Sequence, residues 1–347
     1  MSPHLSSPSL SRRHLLTTAL GGVVLTLSPG LVVPALAQEA TPGAANPFAD
    51  LGLPTLDVTV TGTGYEGIPE SIEAGRYLVT VTAAEDAGDF GGGVAFIQPA
   101  GMTGDEFITM LGEFSGPPDE SGVGAAAATP IEGVIPEGSP AAEGGEMGGP
   151  PPVFFESAMA GGAYAPPGGS AAAVLDLTPG DWVAWGDDPA SPQIPIAFTV
   201  TGEMPADLVE PESTATLTMG EYVIEVTEGE LTAGQQVVRI DNIGAQPHFI
   251  GWVQVPDGLT EAQLQTTLDE EMEAGMTGTP PVYSDFNPEE DATDIIFTAT
   301  QSTGTSQWVQ VEGVEAGTHV LICFFPDMED GMPHAFHGMY SIIEVGE

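Results

Sequence analysis

The sequence predicts an all-β protein made of two tandem antiparallel β-sandwiches, each with one short inserted helix. Three observations predict it. Alternating apolar and polar runs recur along the chain, Gly and Pro punctuate them at short intervals, and the runs fall into two sets of the same order. Successive strand side chains point to opposite faces, so a period of two marks a strand with one buried face. Many short strands separated by Gly/Pro turns argue for sandwiches.

The first set opens at Ala74-Gly75 with RYLVTVT and leads to Phe96-Ile97-Gln98-Pro99. The second opens at Ala233-Gly234 with QQVVRID and leads to Val253-Gln254-Val255-Pro256. A helix start follows each proline: Thr103 with Glu106, and Thr260 with Gln263, have capping-box spacing. Apolar residues then recur at helical spacing, Phe107, Met110, Leu111 and Phe114 in one set and Leu264, Leu268 and Met272 in the other. Gly-led strands follow, GDWVAW from Gly180 and GTHVLICFF from Gly317. Thr199-Val200 and Ile342-Ile343-Glu344-Val345 close the two sets. The expected domains are therefore residues 51–204 and 214–347, joined by an acidic, Pro-containing linker at 205–213. Residues 38–50 read as a flexible leader. Residues 115–152, rich in Gly, Pro, Ala and Glu, read as a disordered insertion in the first domain.

The N-terminus reads as an export signal. Ser11-Arg12-Arg13-His14-Leu15-Leu16 opens an apolar stretch that ends at Pro34-Ala35-Leu36-Ala37. A basic segment, an apolar segment and a small-x-small site give residues 1–37 as a signal peptide cleaved after Ala37. The Arg12-Arg13 pair followed by leucines resembles a twin-arginine signal; a retained membrane anchor is the alternative reading. Cleavage would leave a secreted or extracytoplasmic protein with no membrane insertion.

The 347 residues contain 50 acidic and 4 basic side chains, a formal charge of −46. All the acidic residues lie beyond Ala37, against only two cations there, Arg76 and Arg239. Such a field repels nucleic acid and anionic membrane, and it favours a cationic protein partner. The usual enzyme signatures, G-x-S-x-G, H-E-x-x-H and G-x-x-x-x-G-K, are absent from the sequence.

Soft and borderline metal-binding side chains are concentrated in the second set. His248, His319, His334, His337 and Cys323 all lie there, and the first set has neither His nor Cys. A lone thiol in an exported protein implies protection by burial, pairing or a metal. Bland readings stand beside this: Cys323 as a small core residue, His248 as a turn residue, and His334 and His337 as loop partners of Asp327, Glu329 and Asp330. His319, at the start of a strand, reads as structural.

Asp241-Asn242-Ile243-Gly244-Ala245-Gln246-Pro247-His248 resembles the strand-turn that presents the first copper histidine in plastocyanin-like cupredoxins. GTHVLICFFPDMEDGMPHAFHGMYSIIEV resembles their closing segment, with its Cys, His and Gly-Met in order. The resemblance covers about residues 214–347. It implies Greek-key sandwiches and one type 1 copper held by Cys323, His248, His334 and an axial Met339. One thiolate, two imidazoles and a weak thioether suit such a site. The first domain would be a ligand-less repeat. Ten residues separate Cys323 from His334, more than in family loops, so His337 is a rival imidazole and Met332 a rival axial sulfur. Phe249 stands where the family pattern has a polar residue bracing the thiolate. The implied function is electron transfer by a copper protein that is not an enzyme. The alternatives are copper storage or delivery, and a metal-free extracellular binding or structural sandwich.

Overall fold

The computed structural model describes residues 46–88, 91–114, 151–187 and 191–347. The signal residues, including Arg12, Arg13 and the site after Ala37, lie outside these, as do residues 115–150 of the expected insertion.

Strands dominate, as the alternating runs require. The first half carries β1 (Thr55–Val60), β2 (Tyr65–Glu66), β3 (Ser71–Glu73), β4 (Gly75–Ala83) and β5 (Gly92–Gln98). Helices α1 (Gly104–Phe114) and α2 (Pro152–Glu156) follow, then β6 (Ala158–Ala165), β7 (Ser170–Leu177), β8 (Gly180–Trp185) and β9 (Ile196–Thr201). The second half carries β10 (Ala215–Gly220), β11 (Val223–Gly229), β12 (Gly234–Asn242) and β13 (Gly251–Gln254). Helices α3 (Glu261–Thr277) and α4 (Pro288–Asp291) come next, then β14 (Thr293–Phe297), β15 (Ser306–Val314), β16 (Gly317–Ile322) and β17 (Tyr340–Val345). Both capping boxes form. Thr103 Oγ1 accepts the Glu106 N–H while Glu106 accepts from Thr103, and Thr260 with Gln263 does the same.

One eight-stranded sheet, in the order β11-β10-β12-β15-β7-β4-β1-β2, runs through both halves. A five-stranded sheet, β3-β9-β8-β5-β6, belongs to the first half, and a four-stranded sheet, β14-β13-β16-β17, to the second. The halves thus meet edge to edge through β7 and β15, antiparallel partners at Gln307↔Leu175, Trp308↔Val174 and Val309↔Ala173. Purely antiparallel pairing is corrected: β1/β4, β10/β12 and β3/β9 are parallel. The reason is visible at β10. Its hairpin partner β11 takes the outer edge, so the chain has reversed twice when β12 settles on the inner edge.

One large apolar cluster runs through both halves, from Val58 and Val81 through Trp185 to Leu321 and Met339. Where β7 meets β15, a smaller cluster of Phe48, Leu78, Ala172, Val174 and Trp308 packs on the shared sheet. Phe48 is 1% exposed and a short 3₁₀ turn follows at Ala49–Leu51. The end of the expected leader is therefore tied down, by an aromatic ring with a hydrophobic seat. The 205–213 stretch has no helix or strand, yet Pro211 is buried. Its Val209 carbonyl accepts from Arg76 and Glu210 pairs with Arg239, so both cations beyond the leader anchor it.

Candidate metal centre

Three side chains from different elements converge. His248 lies between β12 and β13, where its N–H donates to the Gln301 carbonyl at 3.0 Å and its carbonyl accepts the Gln301 N–H at 2.8 Å. Asn242 donates to the same Gln301 carbonyl and to that of Gln246, which closes the turn leading to His248. Gly244 has no side chain for a local reason: a Cβ there would lie 2.6 Å from His248 Nε2. Cys323 follows the last residue of β16, and its N–H donates to the Met339 carbonyl at 3.1 Å.

The ten residues between Cys323 and His334 return on themselves as a small hairpin. Pro326 bridges Pro333, the Asp327 N–H donates to Met332, and the His334 N–H donates to Phe325. His334 then opens a 3₁₀ turn, His334–His337. Loop length is absorbed outside the site, and the imidazole comes back to the thiol.

The outcome is a buried triad. Cys323 Sγ lies 3.9 Å from His248 Nδ1 and 3.7 Å from His334 Nδ1, and the two Nδ1 atoms are 3.0 Å apart. A triangle with these edges has its centre about 2.1 Å from each corner, close to the roughly 2.0–2.3 Å of metal bonds to imidazole and thiolate. The donor set therefore fits a small metal ion. All three residues are fully buried.

Burial also sets their protonation. It holds the His248 imidazole down at about 4, and it holds His334 at about 3, with His248 adding to the depression. Both rings are neutral at pH 7 and have lone pairs to give. Burial pushes the Cys323 thiol up to about 12, against hydrogen bonds from the Phe249 and Phe325 N–H groups. A metal would have to displace that proton. The bracing expected from a polar side chain after His248 comes here from the main chain, since any residue at 249 supplies an N–H.

Met339 is fully buried. Its backbone is bonded to both Cys323 and His334. His337 points elsewhere: it is a third exposed, and its Nε2 lies 3.3 Å from Asp330 Oδ1. The same carboxylate and Asp327 form with His337 a second, more exposed group whose ligand atoms lie within 4.8 Å of one another. Met332 lies in the hairpin, half-buried. His319 is satisfied in the core, accepting from Trp252 Nε1 at Nδ1 (3.1 Å) and donating from Nε2 to the Glu315 carbonyl (2.9 Å).

Residues that sequence reasoning did not reach surround the triad. Tyr222, at the β10–β11 turn with φ +56°, sets its ring 5.5 Å from His334 and donates to Asp327 at 2.6 Å. Phe325 lies beside His334 and meets Phe155 of α2 edge-on at 5.8 Å. The first half thus touches the hairpin of the second. Only pairing across long sequence separations brings these together, and no local pattern carries that.

No family model and no curated protein matches this chain. Among solved structures it is similar to reduced auracyanin from Roseiflexus castenholzii, at 20% identity over 38% of this chain and 95% of that one, with a TM-score of 0.25. Auracyanin A, titled a "blue" copper protein, from Chloroflexus aurantiacus, aligns at 20% identity over 38% and 95%, TM-score 0.22. Copper nitrite reductase from Nitrosomonas europaea aligns at 8% identity over 84% and 93%, TM-score 0.20. At such scores the fold is read from the strand order itself. The expectation that the chain is not an enzyme is corrected: structures titled copper nitrite reductase and multicopper oxidase are among those that align over most of it, so that expectation is withdrawn.

Proposed function

We propose that this chain is a cupredoxin-like protein in which His248, Cys323 and His334 would hold one copper ion, with Met339 as the thioether donor, and that it transfers electrons through that ion. The observation that supports it is the triad itself, two inward Nδ1 atoms and one thiol around a point at metal-bond distance from all three. A thiolate with two imidazoles is the donor set of blue-copper sites. Copper bound there would supply one-electron chemistry between its Cu(I) and Cu(II) states.

The chain's own part is to keep the donors still and dry. His248 is clamped by Gln301, and Cys323 and His334 are tied through Met339 and Phe325, so the donor set has little freedom to reorganise. Full burial excludes water from all three. The first half, without His or Cys, would be a ligand-less repeat that buttresses the hairpin through Phe155. With the Arg12-Arg13 signal the protein would act outside the cytoplasm, and its net charge of −46 favours a cationic redox partner. Among the described residues no helix is long and apolar enough to cross a membrane.

The test is spectroscopic. Protein loaded with Cu(II) is expected to show an intense thiolate-to-copper band in the visible, absent from Cys323→Ser. Loading without that band, or a band that survives the substitution, would overturn the reading.

A further inference from the structure

The two histidines of the triad are chemically unequal, and the difference comes from Asp327. In the metal-free protein the two Nδ1 atoms, 3.0 Å apart, share one hydrogen bond, so one ring carries its proton inward and the other carries it on Nε2. Both Nε2 atoms are buried, and neither has a hydrogen-bond partner among the described residues. Their surroundings differ. His334 Nε2 faces Asp327 Oδ2 at 3.7 Å, and that carboxylate is 2% exposed. Its charge is fixed in place: Oδ2 accepts from Tyr222 Oη at 2.6 Å and Gln246 Nε2 at 2.7 Å, and Oδ1 accepts the Glu329 N–H. His248 Nε2 lies against the turn at Gly244, where a Cβ would sit 2.6 Å from it.

At 3.7 Å the Asp327 contact is too long for a hydrogen bond, but its sign is clear. An N–H dipole pointed at a buried carboxylate is stabilised, and a lone pair pointed there is repelled. At His248 an unpaired buried N–H would be orphaned, whereas a bare ring nitrogen strands only an acceptor, the milder case.

We propose that Asp327 is a positioning residue that fixes His334 as the Nε2–H tautomer, leaving its Nδ1 lone pair free inside, while His248 carries the inner proton on Nδ1 and donates it to His334. A carboxylate behind a metal-ligating histidine sets tautomer and orientation in this way. Asp327 sits in the long Cys323–His334 hairpin, so the added loop length has a use. The consequence for metal uptake rests on the copper reading; the tautomer assignment does not. On uptake His334 is already poised, His248 moves its proton from Nδ1 to Nε2, and Cys323 releases one proton to solvent. The count is one metal in and one proton out.

The experiment is long-range ¹H–¹⁵N correlation of the imidazoles in the metal-free protein at pH 7, with competition titration of Cu(II). Expected are an Nε2–H pattern for His334 and an Nδ1–H pattern for His248. Asp327→Asn should lose the fixed His334 pattern, keep that of His319, and bind Cu(II) roughly 10- to 100-fold more weakly. The reverse pattern in the unsubstituted protein, or an equal mixture, overturns the proposal even where the variant does not fold. So does a folded Asp327→Asn with unchanged tautomers and affinity within about twofold. The expected tautomers in a protein that forms no thiolate-to-copper band would leave the assignment standing and remove the copper reading.

Discussion

At the scale of single residues, small changes decide whether a donor can reach the centre. Gly244 is the clearest case, because a methyl group there would press on His248 Nε2 at 2.6 Å. The clamp on Gln301 fixes the His248 backbone, so the ring has to turn. Gly244→Ala is expected to cost about 1–3 kcal/mol as an overpacked site and to weaken Cu(II) binding in a competition titration. His319 acts through protons. Neutral, it accepts from Trp252 and donates to Glu315; protonated, it would set an N–H against the Trp252 N–H. Burial accordingly lowers its pKa. The unfolded chain takes up this proton at about pH 6.5 and the folded chain only at lower pH, so stability falls as pH drops below about 6.5. His248 and His334, held at about 4 and about 3, act with the same sign in the metal-free protein. Denaturant midpoints of the metal-free protein should fall from pH 7.5 to 5, and less steeply in His319→Gln. Equal slopes would show that His319 does not contribute.

Elements carry the geometry that residues alone cannot. The hairpin between Cys323 and His334 depends on a turn in which the Gly331 N–H donates to Asp327 and Gly331 has φ +74°. A β-branched residue is strained there, so Gly331→Val should cost about 1–3 kcal/mol. If it falls on the closed hairpin, that is roughly five- to 150-fold in Cu(II) affinity, with the far-ultraviolet spectrum unchanged. An unaltered affinity would mean that the turn does not set the position of His334. This hairpin also marks where the sequence stops being readable. The strands leading to Cys323 and the two capping boxes are local patterns, and they were legible. The return of ten residues depends on Pro326 meeting Pro333 and on Asp327 meeting Tyr222 and Gln246, pairings that no period encodes. The parallel strand pairs were hidden likewise, since alternation reports a buried face and says nothing of direction.

At the scale of the whole molecule, the continuous sheet makes two sandwiches into one body. The seam between β7 and β15 is short, but Trp308 stands on it, 1% exposed, with the guanidinium of Arg76 4.4 Å from its ring and that of Arg239 at 5.2 Å. Arg76 also pairs with Asp176 of β7, and both arginines hold the 205–213 stretch over the seam. The two cations left beyond the leader of this acidic chain are thus spent at the junction, where Phe48 of the N-terminal segment also packs. Truncating Trp308 would open a cavity shared by both halves, so Trp308→Ala should cost about 3–5 kcal/mol. Trp308 Nε1 has no partner among the described residues, so Trp308→Phe, which keeps a ring against both cations and removes that orphan, should cost clearly less. The decisive measurement is calorimetry. A single transition that moves down intact in Trp308→Ala is expected if the seam couples the halves. Two transitions, with only the second half's destabilised, would mean that each sandwich folds alone and that the triad draws no support from the first.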